Sequence, residues 1–450
     1  MASTFPAGPY KQLQITETAT APWYVVPFDK NGVCTAPLTR RHLVDSVRTD
    51  NYSDVFLFSH GWNNDWNTAS ERYEDFIGGF AKMRHDFGLS PPSAYRPLLA
   101  GIFWPSTALV MPWERAPKFA GAPANADDGA EAWRRELEEL GDQVEPAARE
   151  EFYRLAQGEH LNENDAARLA AIIAKAASKF EQASQDTGNA APPIGANDIL
   201  ENARSMPGAT QVTRKAGSFG FATNTASGPQ AAFGLSDLDP RKLVRVATVL
   251  QMKDRAARVG AHGVGPLLAE ILAVHPAARV HLIGHSYGCI VVLSATSVLK
   301  APAKVESMLL LQPAVSQWCF AKDVAGRGFA GGYRPTLSLV RKPIFTTFSS
   351  KDVPLTKLFH FAARREQDLG QPKIAAGLPQ APSLYAALGG FGPEGLDPGE
   401  LQVLDLQSPP TPYALRDPVP KVCALKSERF IDGHGEISVP ATWWALHQQL

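Results

Sequence analysis

The chain has 450 residues, 44% hydrophobic and 20% charged, enough to bury a large core and more than one domain usually holds, so an insertion is expected. A formal net charge of -1 argues against nucleic acid or another polyanion as its partner. Met1 to Pro6 has neither the basic start nor the apolar stretch of a secretory signal, no run of consecutive apolar residues is long enough for a bilayer, and Cys34, Cys289, Cys319 and Cys423 form no Cys-x-x-Cys pair, so a soluble, cytoplasmic protein with reduced thiols is expected.

Trp23 to Phe28 followed by Asp29-Lys30-Asn31-Gly32 predicts an opening hairpin, with Asn-Gly as its turn. Leu38 to Val47 reads as a helix. Val55-Phe56-Leu57-Phe58 reads as a short buried strand running into Ser59-His60-Gly61-Trp62-Asn63-Asn64. Tyr73, Phe76, Ile77, Phe80 and Met83 then fall at helical spacing and predict an apolar face that belongs to the core. From about residue 114 the texture changes. Glu131 to Leu140 and Asn162 to Ala177 read as alanine- and charge-rich helices, and Ser184 to Gly234 has the small-residue composition of a mobile loop. The expected layout is a core in two parts, 1-113 and 240-450, with a helical insertion at 114-239. The insertion is either a cap over a pocket or a peripheral decoration.

The most informative segment lies beyond it. Val280-His281-Leu282-Ile283 reads as a strand that stops at Gly284, turns on Ser286 and leaves through Gly288 into the apolar helix Cys289 to Ala295. A strand, a sharp serine turn between two glycines and a helix make a nucleophile elbow, whose strained backbone lifts the hydroxyl clear of the sheet. Met308 to Leu311 reads as the next strand. Gly326-Arg327-Gly328-Phe329-Ala330-Gly331 matches a dinucleotide fingerprint but lacks the strand before it and the helix after it, so no nucleotide cofactor is expected. This stretch reads as a flap, with Trp318, Phe320, Phe329 and Tyr333 near a pocket mouth. Lys342 to Phe348 reads as a strand whose polar turn carries Asp352. After a second excursion, Thr356 to Pro420, the apolar Lys421 to Leu425 leads to Gly433-His434-Gly435, a histidine placed to reach over a serine.

Serine, aspartate and histidine in this order suit nucleophilic catalysis. A serine hydroxyl needs a base, so His434 would take its proton and return it to the leaving group, while Asp352 would fix the histidine tautomer. Asp432, two residues before His434, is the rival acid. Among the rival bases, His281 and His285 belong to the elbow strand and turn, His360 lies in an aromatic stretch, and His447 is close to the C-terminus. His60 reads either as part of the substrate site or as a histidine that braces its loop. No metal is expected, because nothing stands beside it at ligand spacing.

On these residues the chain resembles the α/β-hydrolase superfamily, and within it a bacterial group of uncharacterised hydrolases. That group has a Ser-His-Gly-Trp-Asn-Asn loop, a strand ending in Trp-Pro-Ser (here Trp104-Pro105-Ser106), a Met-Lys-x-Arg-Ala helix (here Met252 to Ala256) and a late Gly-His-Gly. The resemblance implies an α/β fold with a mainly parallel sheet flanked by helices. It also implies an oxyanion site formed by the backbone amides of Trp62 and Tyr287. His60, Gly61, Trp318 and Phe320 are the expected substrate contacts. The resemblance carries no substrate; the expected activity is cleavage of a carboxylic ester through an acyl-Ser286 intermediate, and the aromatic residues near the pocket mouth favour an apolar group. Thioesterase, amidase and lipase activity, or a silent hydrolase fold used as a binding module, are the alternatives.

Overall fold

A computed structural model describes residues 6–15, 19–62, 66–89, 95–106, 133–134, 137–178, 194–205, 238–300, 302–359 and 386–450. Asn63, Asn64, residues 107–132 and His360 fall outside these ranges, as does most of the small-residue stretch from Ser184 to Gly234.

The structure is α/β, built on a nine-stranded mixed sheet. Its strands are β1 (Lys11–Gln14), β2 (Thr20–Pro27), β3 (Asp54–Ser59), β4 (Pro97–Phe103), β5 (Arg279–His285), β6 (Ser307–Leu311), β7 (Ile344–Phe348), β8 (Leu401–Asp405) and β9 (Val422–Lys426). They lie in the order β1-β2-β4-β3-β5-β6-β7-β9-β8, and every pair is parallel except β1 with β2. Strands β3, β4 and β6 are buried along their whole length, in keeping with the apolar runs Val55 to Phe58 and Met308 to Leu311.

The expected hairpin takes a different form. The turn at Asp29 forms, its carboxylate accepting the amides of Asn31 and Val33, but the chain after it makes one bridge, Phe28 to Cys34, and enters helix α1 (Pro37–Thr49). The antiparallel partner of β2 is β1, upstream. Proline at the start of α1 has no amide to lose there, so it begins the helix and ends any second strand.

Alternation along each strand sends side chains to two cores. Tyr24, Val26, Val55 and Leu57 point to the face covered by α1, α6 (Pro240–Arg258), α7 (Gly265–Val274) and α8 (Gly288–Ser297). Trp23, Val25, Phe56 and Phe58 point to the face covered by α2 (Trp66–Asp86) and α9 (Pro440–His447). A π-helical stretch, Val259–Val264, joins α6 to α7. The resulting run of 35 residues contains a window with mean hydropathy 1.2, long and apolar enough to cross a membrane, yet half of that window is buried against the protein. This continuity was hidden in the sequence by the charged face of α6.

Between β4 and α6 stand α3 (Pro146–Ala156), α4 (Glu163–Ala177) and α5 (Ala196–Ser205). The start of α4 follows from Asn162, whose side chain accepts the Asp165 amide. These helices share a third core with the first half of α6, through Leu243, Val244, Val246 and Ala247. Helix α5 lies inside the stretch expected to be a loop, and the core it joins crosses the expected boundary at residue 239.

Candidate active site

The register of the sheet sets the site. Ser59 pairs with Gly284, His285 with Leu311, Leu310 with Thr346, and Phe348 with Lys426, so β3, β5, β6, β7 and β9 end at one edge. The residues that follow those ends, His60, Ser286, Gln312, Asp352 and His434, converge there, in the crevice beyond the carboxyl ends of parallel strands where α/β proteins place ligands.

Ser286 follows β5 directly and has a φ of 55°, in the left-handed region that a residue with a Cβ rarely occupies. Its amide donates to the Leu311 carbonyl, and the chain enters α8 two residues later. Each elbow glycine meets a different neighbour. A Cβ on Gly284 would lie 2.7 Å from the Cys289 Cα, so the strand and its own helix are in contact there. A Cβ on Gly288 would lie 2.1 Å from the Ser59 oxygen, so this glycine admits the end of β3.

His434 brings the other groups to the serine. Its Nε2 accepts from Ser286 Oγ at 2.7 Å, and its Nδ1 donates to Asp352 Oδ2 at 2.7 Å. Asp352 is fully buried and also accepts the Leu355 amide on Oδ1 at 3.0 Å and Gln312 Nε2 on Oδ2 at 3.0 Å. A carboxylate surrounded by donors accepts hydrogen bonds only, so the imidazole proton sits on Nδ1 and the lone pair on Nε2 faces the serine. Asp432 does not compete. Its carboxylate is 69% exposed and pairs with Lys351 Nζ at 2.6 Å.

Two further histidines hold the scaffold. His285 donates from Nε2 to the His434 carbonyl at 2.8 Å, fixing the loop that presents the ring. Burial, with the neighbouring His434 and Arg72 charges, pushes His285 well below the usual histidine range and keeps it neutral. His60 is 2% exposed. Its ring donates to the Gly61 carbonyl, accepts the Trp104 amide and stacks on the Trp104 indole at 5.6 Å. Burial pushes it down to about 4. The ring is therefore committed to bracing the loop and offers no free atom to a substrate. His281 of β5 is tied to Asp54 of β3 and Ser307 of β6, and His447 stacks on Trp444 at the end of α9, better held than its terminal position suggests.

Gly61 stands against the elbow, where an added Cβ would be 2.7 Å from the Ser286 Cβ. Next to it the Trp62 and Tyr287 rings lie 5.9 Å apart, with the Arg245 guanidinium 4.0 Å over the Trp62 ring and the Val249 carbonyl accepting from the Tyr287 hydroxyl. Helix α6, which carries the insertion, thus runs beside the two residues whose amides the sequence singled out. The aromatic mouth is corrected. Phe320 is fully buried and Tyr333 is 2% exposed, both in the core over α8, where Tyr333 pairs with Ser294. Neither offers a surface to a substrate. Trp318 is partly buried, packed near Gly395.

Sequence reasoning missed Gln312. Its only signal was its place, one residue after a strand that neighbours the elbow strand. Among the described residues no cluster of three or more histidine, cysteine, aspartate or glutamate side chains could hold a metal. Comparison of the chain with protein-family models, curated proteins and solved structures finds no match.

Proposed function

We propose that this protein is a serine hydrolase of the α/β-hydrolase type, cleaving a carboxylic ester through an acyl-Ser286 intermediate. The observation that carries this reading is the unbroken hydrogen-bond chain from Ser286 Oγ through His434 to the buried Asp352, mounted on a strand–turn–helix at a φ of 55°. Such a chain is what a hydroxyl nucleophile needs and what a merely structural serine does not. The order Ser286, Asp352, His434 along the chain, after the parallel strands β5, β7 and β9, further supports the superfamily.

In the reaction, Ser286 Oγ attacks the ester carbonyl while its proton passes to His434 Nε2. Asp352, held by Leu355 and Gln312, stabilises the imidazolium. His434 then gives the proton to the departing alkoxide, the carbon–oxygen bond breaks, and the acyl group stays on Ser286. Water, deprotonated by His434, repeats the sequence and releases the acid. Gly61 lies against Ser286, Trp62 follows it in the chain and Tyr287 follows the nucleophile, so the amides of Trp62 and Tyr287 are the proposed oxyanion donors.

The test is covalent labelling of the purified protein with a fluorophosphonate, with the modified residue mapped by mass spectrometry, beside hydrolysis of short aryl esters. Labelling at Ser286 and loss of both signals in Ser286→Ala are expected. Labelling that persists in the alanine variant would move the nucleophile elsewhere.

A further inference from the structure

We propose that Gln312 is a positioning residue that locks the Asp352 carboxylate onto His434; this rests on the hydrolase reading above and adds a residue to it. Gln312 is fully buried immediately after β6, between the strand ends that carry the serine and the acid. Its backbone amide and both polar atoms of its side chain are used. The backbone amide donates to Thr347 Oγ1 in β7 at 2.9 Å, Nε2 donates to Asp352 Oδ2 at 3.0 Å and towards the Gly389 carbonyl at 3.5 Å, and Oε1 accepts from Ser427 Oγ, just past β9, at 3.2 Å. The amide orientation follows from these partners, because one end faces two acceptors and the other a hydroxyl. Its backbone has a φ of 44°, so this glutamine is held where a residue with a Cβ is costly.

A space-filling residue would require none of this. An apolar side chain would fill the same volume without an amide to satisfy, and the left-handed backbone favours asparagine or glycine over glutamine. What glutamine alone supplies is a donor at a length that reaches Asp352. A carboxylate turns easily about its terminal bond, a broad torsion without sharp rotamers. The Leu355 amide holds Oδ1 and the Gln312 amide holds Oδ2, so the plane is fixed and Oδ2 stays on the His434 Nδ1–H. Without the second donor the carboxylate is free to swing about the Leu355 bond and leave the imidazole without its orienting partner.

Three variants test this. Gln312→Met keeps the volume and removes the donor. Gln312→Asn suits the left-handed backbone but is one methylene too short to reach. Gln312→Glu keeps shape and length and makes the donor depend on pH. Each is followed by the rate of fluorophosphonate labelling at Ser286 and by kcat and KM on an aryl ester from about pH 5.5 to about pH 8.5, with thermal unfolding to show that it is folded. The methionine and asparagine variants should lose on the order of tenfold to a hundredfold in kcat with KM nearly unchanged. In the glutamate variant the deficit should deepen as pH rises, when the introduced carboxyl is ionised and repels Asp352, and narrow as pH falls, when it carries a proton to donate. A folded variant with wild-type kcat throughout, or one pH-independent deficit shared by all three, overturns the proposal. Wild-type protein that is not labelled at Ser286 instead overturns the hydrolase reading beneath it.

Discussion

Asp352 lies on the turn after β7 and Asp432 on the histidine loop itself, and burial separates them. Asp352 has no solvent and every oxygen bonded, whereas Asp432 keeps water and the Lys351 ammonium. Asp352→Asn should therefore lower kcat on aryl esters by roughly a thousandfold or more, because an amide in that place favours the wrong imidazole tautomer, while Asp432→Asn should stay within about twofold. Steady-state kinetics of the two variants decide it, and the opposite ranking would exchange the acids. His60 gives a second prediction at this scale. Burial lowers it from 6.5 in the unfolded chain to about 4 in the native state, so its contribution to stability is fully present above 6.5 and is lost as pH falls towards 4. The loss amounts to roughly 2 to 3 kcal/mol by about pH 4.5. Urea midpoints measured across that window should fall less steeply in His60→Gln, which has no proton to take up; parallel slopes would contradict the neutral buried ring.

At the level of elements, the strands of the inner sheet were readable because parallel strands buried on both faces leave uninterrupted apolar runs. Elements that depend on a neighbour were not. Strand β8 is half exposed and sits in a stretch read as an excursion; it becomes a strand by pairing with β9 at the edge of the sheet. Helix α5 has few large side chains and is stabilised by the core it joins, through Ile199 and Ala203, both fully buried. Ile199→Ala should consequently destabilise the insertion by about 2 to 4 kcal/mol, read as faster amide exchange over Glu163–Ala177, with labelling at Ser286 retained. Unchanged exchange would mean that α5 adds nothing to that core.

Across the whole molecule, Arg255 joins parts that are far apart in sequence. It is 3% exposed on α6, and it donates to the Pro105 carbonyl at 2.9 Å, next to the Trp104 that stacks on His60, and to Glu139 Oε2 of the insertion at 2.5 Å. Removing Glu139 leaves a buried guanidinium short of an acceptor, so Glu139→Ala should cost about 2 kcal/mol. The double variant with Arg255→Met should recover part of that loss. A double-mutant cycle by chemical denaturation measures the coupling, and strictly additive losses would show that the ion pair carries none.

The sequence by itself determined the α/β class, the strand–serine–helix turn and the chain order of Ser286, Asp352 and His434, because buried runs, helical spacing and glycine between strand and helix are local signals. The tertiary structure decided the rest. Which aspartate meets His434, that His60 braces its loop, that Phe320 belongs to the core and that Gln312 stands behind Asp352 all depend on which strand ends lie side by side. That neighbourhood is set by register between segments up to 225 residues apart, as in the Asp54 and Arg279 pair that aligns β3 with β5. Pairing over such distances is fixed by the burial of the whole sheet, and no local stretch of the chain carries it.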